Sequence, residues 1–433
     1  MKRSLVLDAV ASQKAGRPAG VVSVCSAHPF VLEAAMREAK DIGADLLIEA
    51  TSNQVNQSGG YSGMKPADFA GFVRGIGAAM NFDSGRIILG GDHLGPLPWR
   101  NEPAEKAMSK ACELVKAFVE AGFEKLHLDA SVPCAGEPSG EKLDVRTVAD
   151  RSARLCQAAE AASRNRPEKS FPYYVVGSDV PSAGGTRDSM LKVRVTRPEE
   201  VRETLELTER AVSSLGLESA AERFIAIVVQ PGVDFNDSEV ADYDRDKAAG
   251  LSRFIETVPN AVYEAHSTDF QKPAGLKRMV EDHFCILKVG PWLTFAFREA
   301  VFALEWMERE WLSARKDITL SGLRSVLESV MLADPAHWLT FYRGDQGSQA
   351  FMRSYGLSDR IRYYWPAAAV QAALGRLIRN LAENPVPLSL LSQFLPDQCR
   401  AVRDGRLSLD PREWITDRIT GVLRNYRSAI TPG

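Results

Sequence analysis

Asp92 and His93 stand side by side behind two glycines, in the run Leu89-Gly90-Gly91-Asp92-His93-Leu94-Gly95-Pro96. An apolar segment from Arg86 to Leu89 leads into them, and Gly95, Pro96 and Pro98 stop regular structure after them. A buried strand gains nothing in packing by ending in an acid and an imidazole, which must be solvated, paired or bound to a metal. The pair reads as a metal ligand, His93, beside a group that moves a proton, Asp92. Glu264-x-His266 has a related logic. Alternate residues of a strand share a face, so these two side chains serve as two ligands, or as a ligand and its orienting partner. Glu49 and Asp129 each close an apolar run and would act as a third ligand or as an acid/base. His127 shares the face of Asp129 one layer deeper, where a hydrogen-bonded core histidine is the plainer reading. His28, before Pro29, is a weaker ligand candidate, and His283 and His337 fall outside the pattern.

These residues lie far apart in the chain, so a frame must bring them together. Short apolar, β-branched runs occur at Val21–Cys25, Leu46–Glu49, Arg86–Gly91, Lys125–Asp129, Tyr173–Gly177, Phe224–Val229, Val262–His266 and Phe284–Val289. Helical periodicity fills the intervals, with a first short helix over 4–15 and a closing one over 293–309. Continuous apolar strands such as Ile225-Ala226-Ile227-Val228-Val229 suit a parallel sheet covered on both faces. Eight such repeats predict an α/β fold, a (β/α)8 TIM barrel over 1–310, with a doubly wound open sheet as the alternative. Beyond 310 strand signals stop, and residues 311–433 predict an α-helical C-terminal extension packed on the barrel. Its aromatic residues Trp338, Phe341, Tyr342, Tyr355, Tyr363, Tyr364 and Trp365 read as docking surface before they read as a lid.

Barrel enzymes keep their sites at the C-terminal strand ends. All eight ends are polar here, from Ser26-Ala27-His28 and Thr51-Ser52-Asn53-Gln54 to Ser267-Thr268-Asp269 and Lys288-Val289-Gly290. The opposite ends, such as Phe123-Glu124-Lys125, read as ordinary turn and surface residues. That asymmetry points to an enzyme. Phosphate in such barrels is held after the last two strands, which singles out Ser267, Thr268, Lys288 and Gly290, and Asn53 and Gln54 join them as substrate contacts. The loops Gln57–Gly63 and Ser182–Thr186 are rich in glycine and backbone donors, fit for an anion or for simple turns. A GxxxxGK[ST] loop is absent, as is a GxGxxG following a strand, which argues against a P-loop kinase or a nicotinamide enzyme. A net charge of −3 argues against nucleic-acid and polybasic membrane partners. Six scattered cysteines and the lack of a long apolar segment predict a reduced, cytoplasmic protein that does not span a membrane.

Seven stretches carry a more specific resemblance: Ser23–Pro29, Glu49–Gln57, Gly90–Pro96, His127–Ser131, Glu264–Asp269, Leu287–Pro291 and Ser358–Trp365. Together they resemble the GatZ/KbaZ family of tagatose-bisphosphate aldolase partner subunits, across essentially the whole chain. The resemblance implies a barrel related to class II, metal-dependent aldolases, a phosphorylated ketohexose as substrate, and a divalent cation, zinc or manganese. It gives His93 the metal and Asp92 the proton, while His266 and Glu264 join His93 as expected ligands on the strength of their alternate spacing alone. Family labels range over a non-catalytic aldolase subunit, a tagatose-6-phosphate kinase and a sugar-phosphate 4-epimerase. One departure is Asp179, where the family carries Glu, so no ligand role passes to the fifth strand. A 4-epimerase acting through aldol chemistry, in a homo-oligomer, is the reading taken forward. A stabilising partner of a separate aldolase subunit is the alternative.

Overall fold

The computed structural model describes residues 4–138, 142–166, 170–181, 184–186 and 193–430. Eight parallel strands close into a barrel: β1 (Val21–Cys25), β2 (Leu46–Thr51), β3 (Ile87–Leu94), β4 (Lys125–Leu128), β5 (Tyr173–Val176), β6 (Phe224–Val229), β9 (Val262–Ala265) and β10 (Phe284–Val289). A small antiparallel ribbon, β7 (Asp234–Phe235) with β8 (Val240–Ala241), lies between the sixth and seventh barrel strands. The fold is the expected (β/α)8 barrel with a C-terminal helical region.

Local chemistry explains these elements. β6 reads Phe-Ile-Ala-Ile-Val-Val, whose branched side chains favour extended backbone and are buried on both faces, inside the barrel and beneath the helices. Several barrel helices begin on proline, as at Pro29, Pro66, Pro198, Pro273 and Pro291, where a missing N–H costs nothing. The helix Ala104–Glu120 buries Ala107, Ala111, Leu114, Val115 and Phe118 in one stripe at three- and four-residue spacing. Each fully buried Leu or Phe there contributes about 1.5–3 kcal/mol, and cutting Phe118 to Ala would cost about 3–5 kcal/mol.

Differences from the sequence reading have local causes. Helical periodicity over 240–257 predicts a helix there, but it starts at Arg245, because Asp244 caps the backbone N–H groups of Asp246 and Lys247, and residues 240–241 pair with 234–235 instead. The stretch 387–402 divides into Leu388–Phe394 and Pro396–Arg403, with Pro396 opening the second helix. A helix at Gln346–Tyr355 went unseen because it buries little, Arg353 being its buried residue.

The extension wraps the barrel. Its last helix, Pro411–Ile430, packs on the barrel helices Pro29–Asp41, Pro273–Glu281 and Pro291–Leu312. The buried Tyr426 hydroxyl donates to the carbonyl of Thr268 at 2.8 Å and so ties that helix to the end of β9. Trp338, Tyr342, Tyr364 and Trp365 are buried as docking residues, yet Trp365 and Tyr363 also wall the cavity at the barrel mouth.

Candidate functional site

β3 does not end before Asp92 but runs through it to Leu94. Neighbouring residues of a regular strand face opposite sides, so Asp92 and His93 could not both point inward. Pairing with β4 resolves this: Gly91 sits opposite Leu126 and Leu94 opposite Leu128, so three steps on one strand match two on the other. The resulting bulge turns both side chains into the barrel, with His93 held at φ +47°. A non-glycine residue in that region is strained, and strain of this kind collects at functional sites.

The two glycines have separate jobs. A Cβ on Gly90 would stand 2.6 Å from Cγ of Glu49, so this glycine lets the Glu49 side chain cross from β2 to Lys125 on β4. A Cβ on Gly91 would strike Leu94 and Phe118 on the outer face, at 2.6 and 2.8 Å. Gly95 permits a backbone approach to the carbonyl of Asp129 that any side chain would block.

Three imidazoles meet inside the barrel. The ring centroids of His93, His127 and His266 lie 4.8–5.2 Å apart, and ligand atoms from these three and Asp92 fall within 4.8 Å of one another. Each ring has one nitrogen engaged. Nδ1 of His93 bonds Oδ2 of Asp129 at 2.7 Å, Nδ1 of His127 bonds Oδ1 of Asp92 at 3.0 Å, and Nε2 of His266 bonds Oε1 of Glu264 at 3.0 Å. Those bonds leave Nε2 of His93, Nε2 of His127 and Nδ1 of His266 for another task. Nε2 of His127 is buried and without a hydrogen-bond partner. A buried, unpaired ring nitrogen facing two more imidazoles and a carboxylate fits a divalent cation such as zinc.

Beneath this triangle lies a layer of buried charge. Lys125 Nζ stands 2.6 Å from Glu49 and 2.5 Å from Glu264. Lys288 Nζ stands 2.8 Å from Glu49, 2.7 Å from Asp92 and 3.5 Å from Glu264. Burial opposes the charge on Asp92, yet His93 and Lys288 hold its carboxyl well below the usual range. Glu264 behaves alike, held low against burial by Lys125 and Lys288. Burial lowers Lys288, but Asp92 and its other acidic neighbours lift it well above an ordinary lysine. Burial pulls His93 down and is outweighed by Asp92 and Asp129, whereas burial takes His266 down to about 3.

The expected residues therefore separate into two groups. Asp92, His93, His266, Ser267, Lys288 and Gly290 line a cavity of about 410 Å3 at the C-terminal strand ends, as do Asn53 and Gln54. Its size suits a small-molecule site. Glu49, Asp129, Glu264 and Thr268 stand behind that wall: Asp129 orients His93, Glu264 orients His266, and Glu49 pairs with both lysines. The Thr268 hydroxyl donates to the carbonyl of Lys288 at 2.6 Å. The Gly290 amide, where the sequence reading put phosphate, and the Trp292 amide donate to Asp269 Oδ1 at 3.0 and 2.8 Å. Asp269 lines the cavity too, its pKa raised to about 6 by burial.

Within the triangle and the charge layer beneath it, sequence reasoning missed His127 and Lys125. His127 was read as core, although its spacing from Asp129 matches that of Glu264 and His266. Lys125 was read as surface, but strand register sets it level with Gly90 and Glu49, inside the barrel. His28 stays apart from the triangle, packed against the Phe297 ring at 4.1 Å with the planes tilted by 50°. Of the two glycine loops, Ser182 and Ala183 lie outside the described residues.

Comparison with known proteins agrees with this architecture. The family model for D-tagatose-1,6-bisphosphate aldolase subunit GatZ/KbaZ-like proteins matches residues 6–431. A solved structure from Sinorhizobium meliloti 1021, described as a probable tagatose 6 phosphate kinase, is 42% identical with a TM-score of 0.86, over 95% of this chain and 100% of that one. A fructose-bisphosphate aldolase from Campylobacter jejuni aligns at 12% identity and a TM-score of 0.46, over 86% and 90% of the two chains. Among the described residues no helix is long and apolar enough to cross a membrane.

Proposed function

We propose a function from one premise: the chain belongs to the GatZ/KbaZ-like family of D-tagatose-1,6-bisphosphate aldolase subunits. The activity that the site supports best is a divalent-metal-dependent 4-epimerisation of a ketohexose 6-phosphate, tagatose 6-phosphate to fructose 6-phosphate, by aldol chemistry. The observation that carries it is the triangle of His93, His127 and His266, with the buried Nε2 of His127 lacking a hydrogen-bond partner among the described residues, beside an ionised Asp92 that lines the cavity at the barrel mouth together with His93 and His266.

The hydrogen at C4 is not α to the C2 carbonyl, so simple deprotonation cannot invert that carbon. Breaking C3–C4 and re-forming it on the other face of the aldehyde can. A cation held by His93, His127 and His266, zinc or manganese, would polarise the ketose carbonyl and favour this cleavage. The chain supplies the rest. Asp92, in the cavity and 2.7 Å from Lys288, takes the C4 hydroxyl proton as the bond breaks. Asp269, which lines the same cavity and whose pKa burial raises to about 6, serves as the second proton-transfer group on return. Asp129 and Glu264 fix the tautomers of His93 and His266, and Glu49 holds Lys288 in place.

A second reading starts from the words aldolase subunit in the family description: a chain that stabilises a separate aldolase chain without catalysis. A kinase reading lacks a phosphate cradle for a nucleotide in this sequence. Purified chain incubated with tagatose 6-phosphate separates these readings: the epimerase forms fructose 6-phosphate alone, without nucleotide, and stops with a chelator. A stabilising subunit forms nothing until an aldolase chain is added.

A further inference from the structure

Among the described residues, Lys288 and Arg362 are the cationic side chains that line the cavity, and they are in different states. Lys288 is matched by Glu49, Asp92 and Glu264, and so has little left for a substrate anion. Arg362, from the helical extension, lines the same cavity. Among the described residues, no carboxylate lies within ion-pair distance of its guanidinium. Its hydrogen bonds go to the carbonyls of Ser358 and Asp359, the latter at 2.9 Å, and to the Tyr363 hydroxyl at 2.9 Å. The nearby Asp359 carboxyl is otherwise used, accepting from Thr294 Oγ1 at 2.6 Å.

The guanidinium is also fixed in place. A Cβ on Gly184 would fall 2.4 Å from its Nη2, so this glycine, at φ +80°, lets the backbone lie against the fork. Tyr363 stands edge-on to Tyr61 at 4.6 Å, and both rings line the cavity beside Arg362. A charged fork set by carbonyls and a glycine, rimmed by hydroxyls and, among the described residues, without a carboxylate at ion-pair distance, is a preorganised receptor for a phosphate monoester.

We infer that Arg362, with Tyr61 and Tyr363, forms the anion subsite that takes the substrate's phosphate, so the helical extension completes the barrel's site. This replaces the end of β10 as anchor, where the Asp269 carboxylate already occupies the Gly290 and Trp292 amides. The subsite deepens the epimerase reading in that it gives the phosphate end of that substrate a place.

The test is direct binding of inorganic phosphate and of tagatose 6-phosphate by calorimetry, for wild type, Arg362→Gln and Arg362→Lys. Loss of a bidentate charged contact should weaken both ligands by about 10–100-fold in Arg362→Gln. Arg362→Lys should recover only part of this, and unphosphorylated tagatose should be insensitive to either change. Should Arg362→Gln fail to fold, Gly184→Ala supplies the same test by displacing the guanidinium, with the same weakening expected. Unchanged phosphate affinity in a folded variant, or no phosphate binding by wild type, overturns the subsite. Phosphate binding that depends on Arg362 in a protein that turns over nothing keeps the subsite and removes the epimerase.

Discussion

Replacing Lys125 by Met tests the charge layer that carries the site. Lys125 is 1% exposed and both of its partners, Glu49 and Glu264, are fully buried. Removing it leaves Glu49 and Glu264 without one of their two lysines and Lys288 shared among Glu49, Glu264 and Asp92. Breaking a buried pair from one side costs about 3–5 kcal/mol, because a carboxylate stays buried without its cation. With about 2.1 cal/mol/K of unfolding entropy per residue, 433 residues carry roughly 0.9 kcal/mol/K, so Tm falls by about 3–6 °C. The loss should be larger at pH 8 than at pH 5, since an unpaired buried carboxylate can relieve its penalty by taking a proton. Adding Glu264→Gln to Lys125→Met should restore part of the loss by removing the stranded charge. Thermal denaturation followed by circular dichroism at both pH values reads all of this. A Lys125→Met protein with unchanged Tm at both pH values would refute the argument.

Other outcomes follow from the same geometry. His127→Asn should fold and lose bound metal, and Asp129→Asn should weaken metal affinity by about 10–100-fold, both read by metal analysis after dialysis. Gly90→Ala drives a Cβ into Glu49 at 2.6 Å and should lower stability by about 1–3 kcal/mol, measured by denaturant unfolding. Burial raises Asp359 to about 6 from an ordinary value of 3.8, with Arg298 opposing. The folded chain thus binds the extra proton, so this group's contribution is full below pH 4 and is lost as pH rises to about 6. Asp359→Asn should flatten that decline by up to about 3 kcal/mol, seen as stability measured from pH 4 to pH 7.

The barrel was legible because its strands are continuous, branched and apolar, a pattern that only a doubly covered parallel sheet rewards. β1, β6 and β10 begin and end where the sequence puts them. The chemistry at strand ends was legible wherever polarity interrupts such a run, as at Asp92, His93 and His266. What stayed hidden depends on relations between strands. The bulge that turns Asp92 and His93 to one side is a property of pairing with β4. Lys125 begins its strand and looks exposed until register sets it opposite Gly90. His127 looks like core until His93 and His266 arrive from two other strands. Arg362 lies far down the chain, and no local pattern signals that the extension folds back over the mouth.

The most direct test is the purified chain, alone, with tagatose 6-phosphate, its products followed by NMR with and without a chelator. The account predicts fructose 6-phosphate without nucleotide, loss of conversion on chelation, recovery with zinc or manganese, and no conversion by His127→Asn. No conversion by metal-loaded wild type, or conversion indifferent to both the chelator and the His127→Asn change, would contradict it.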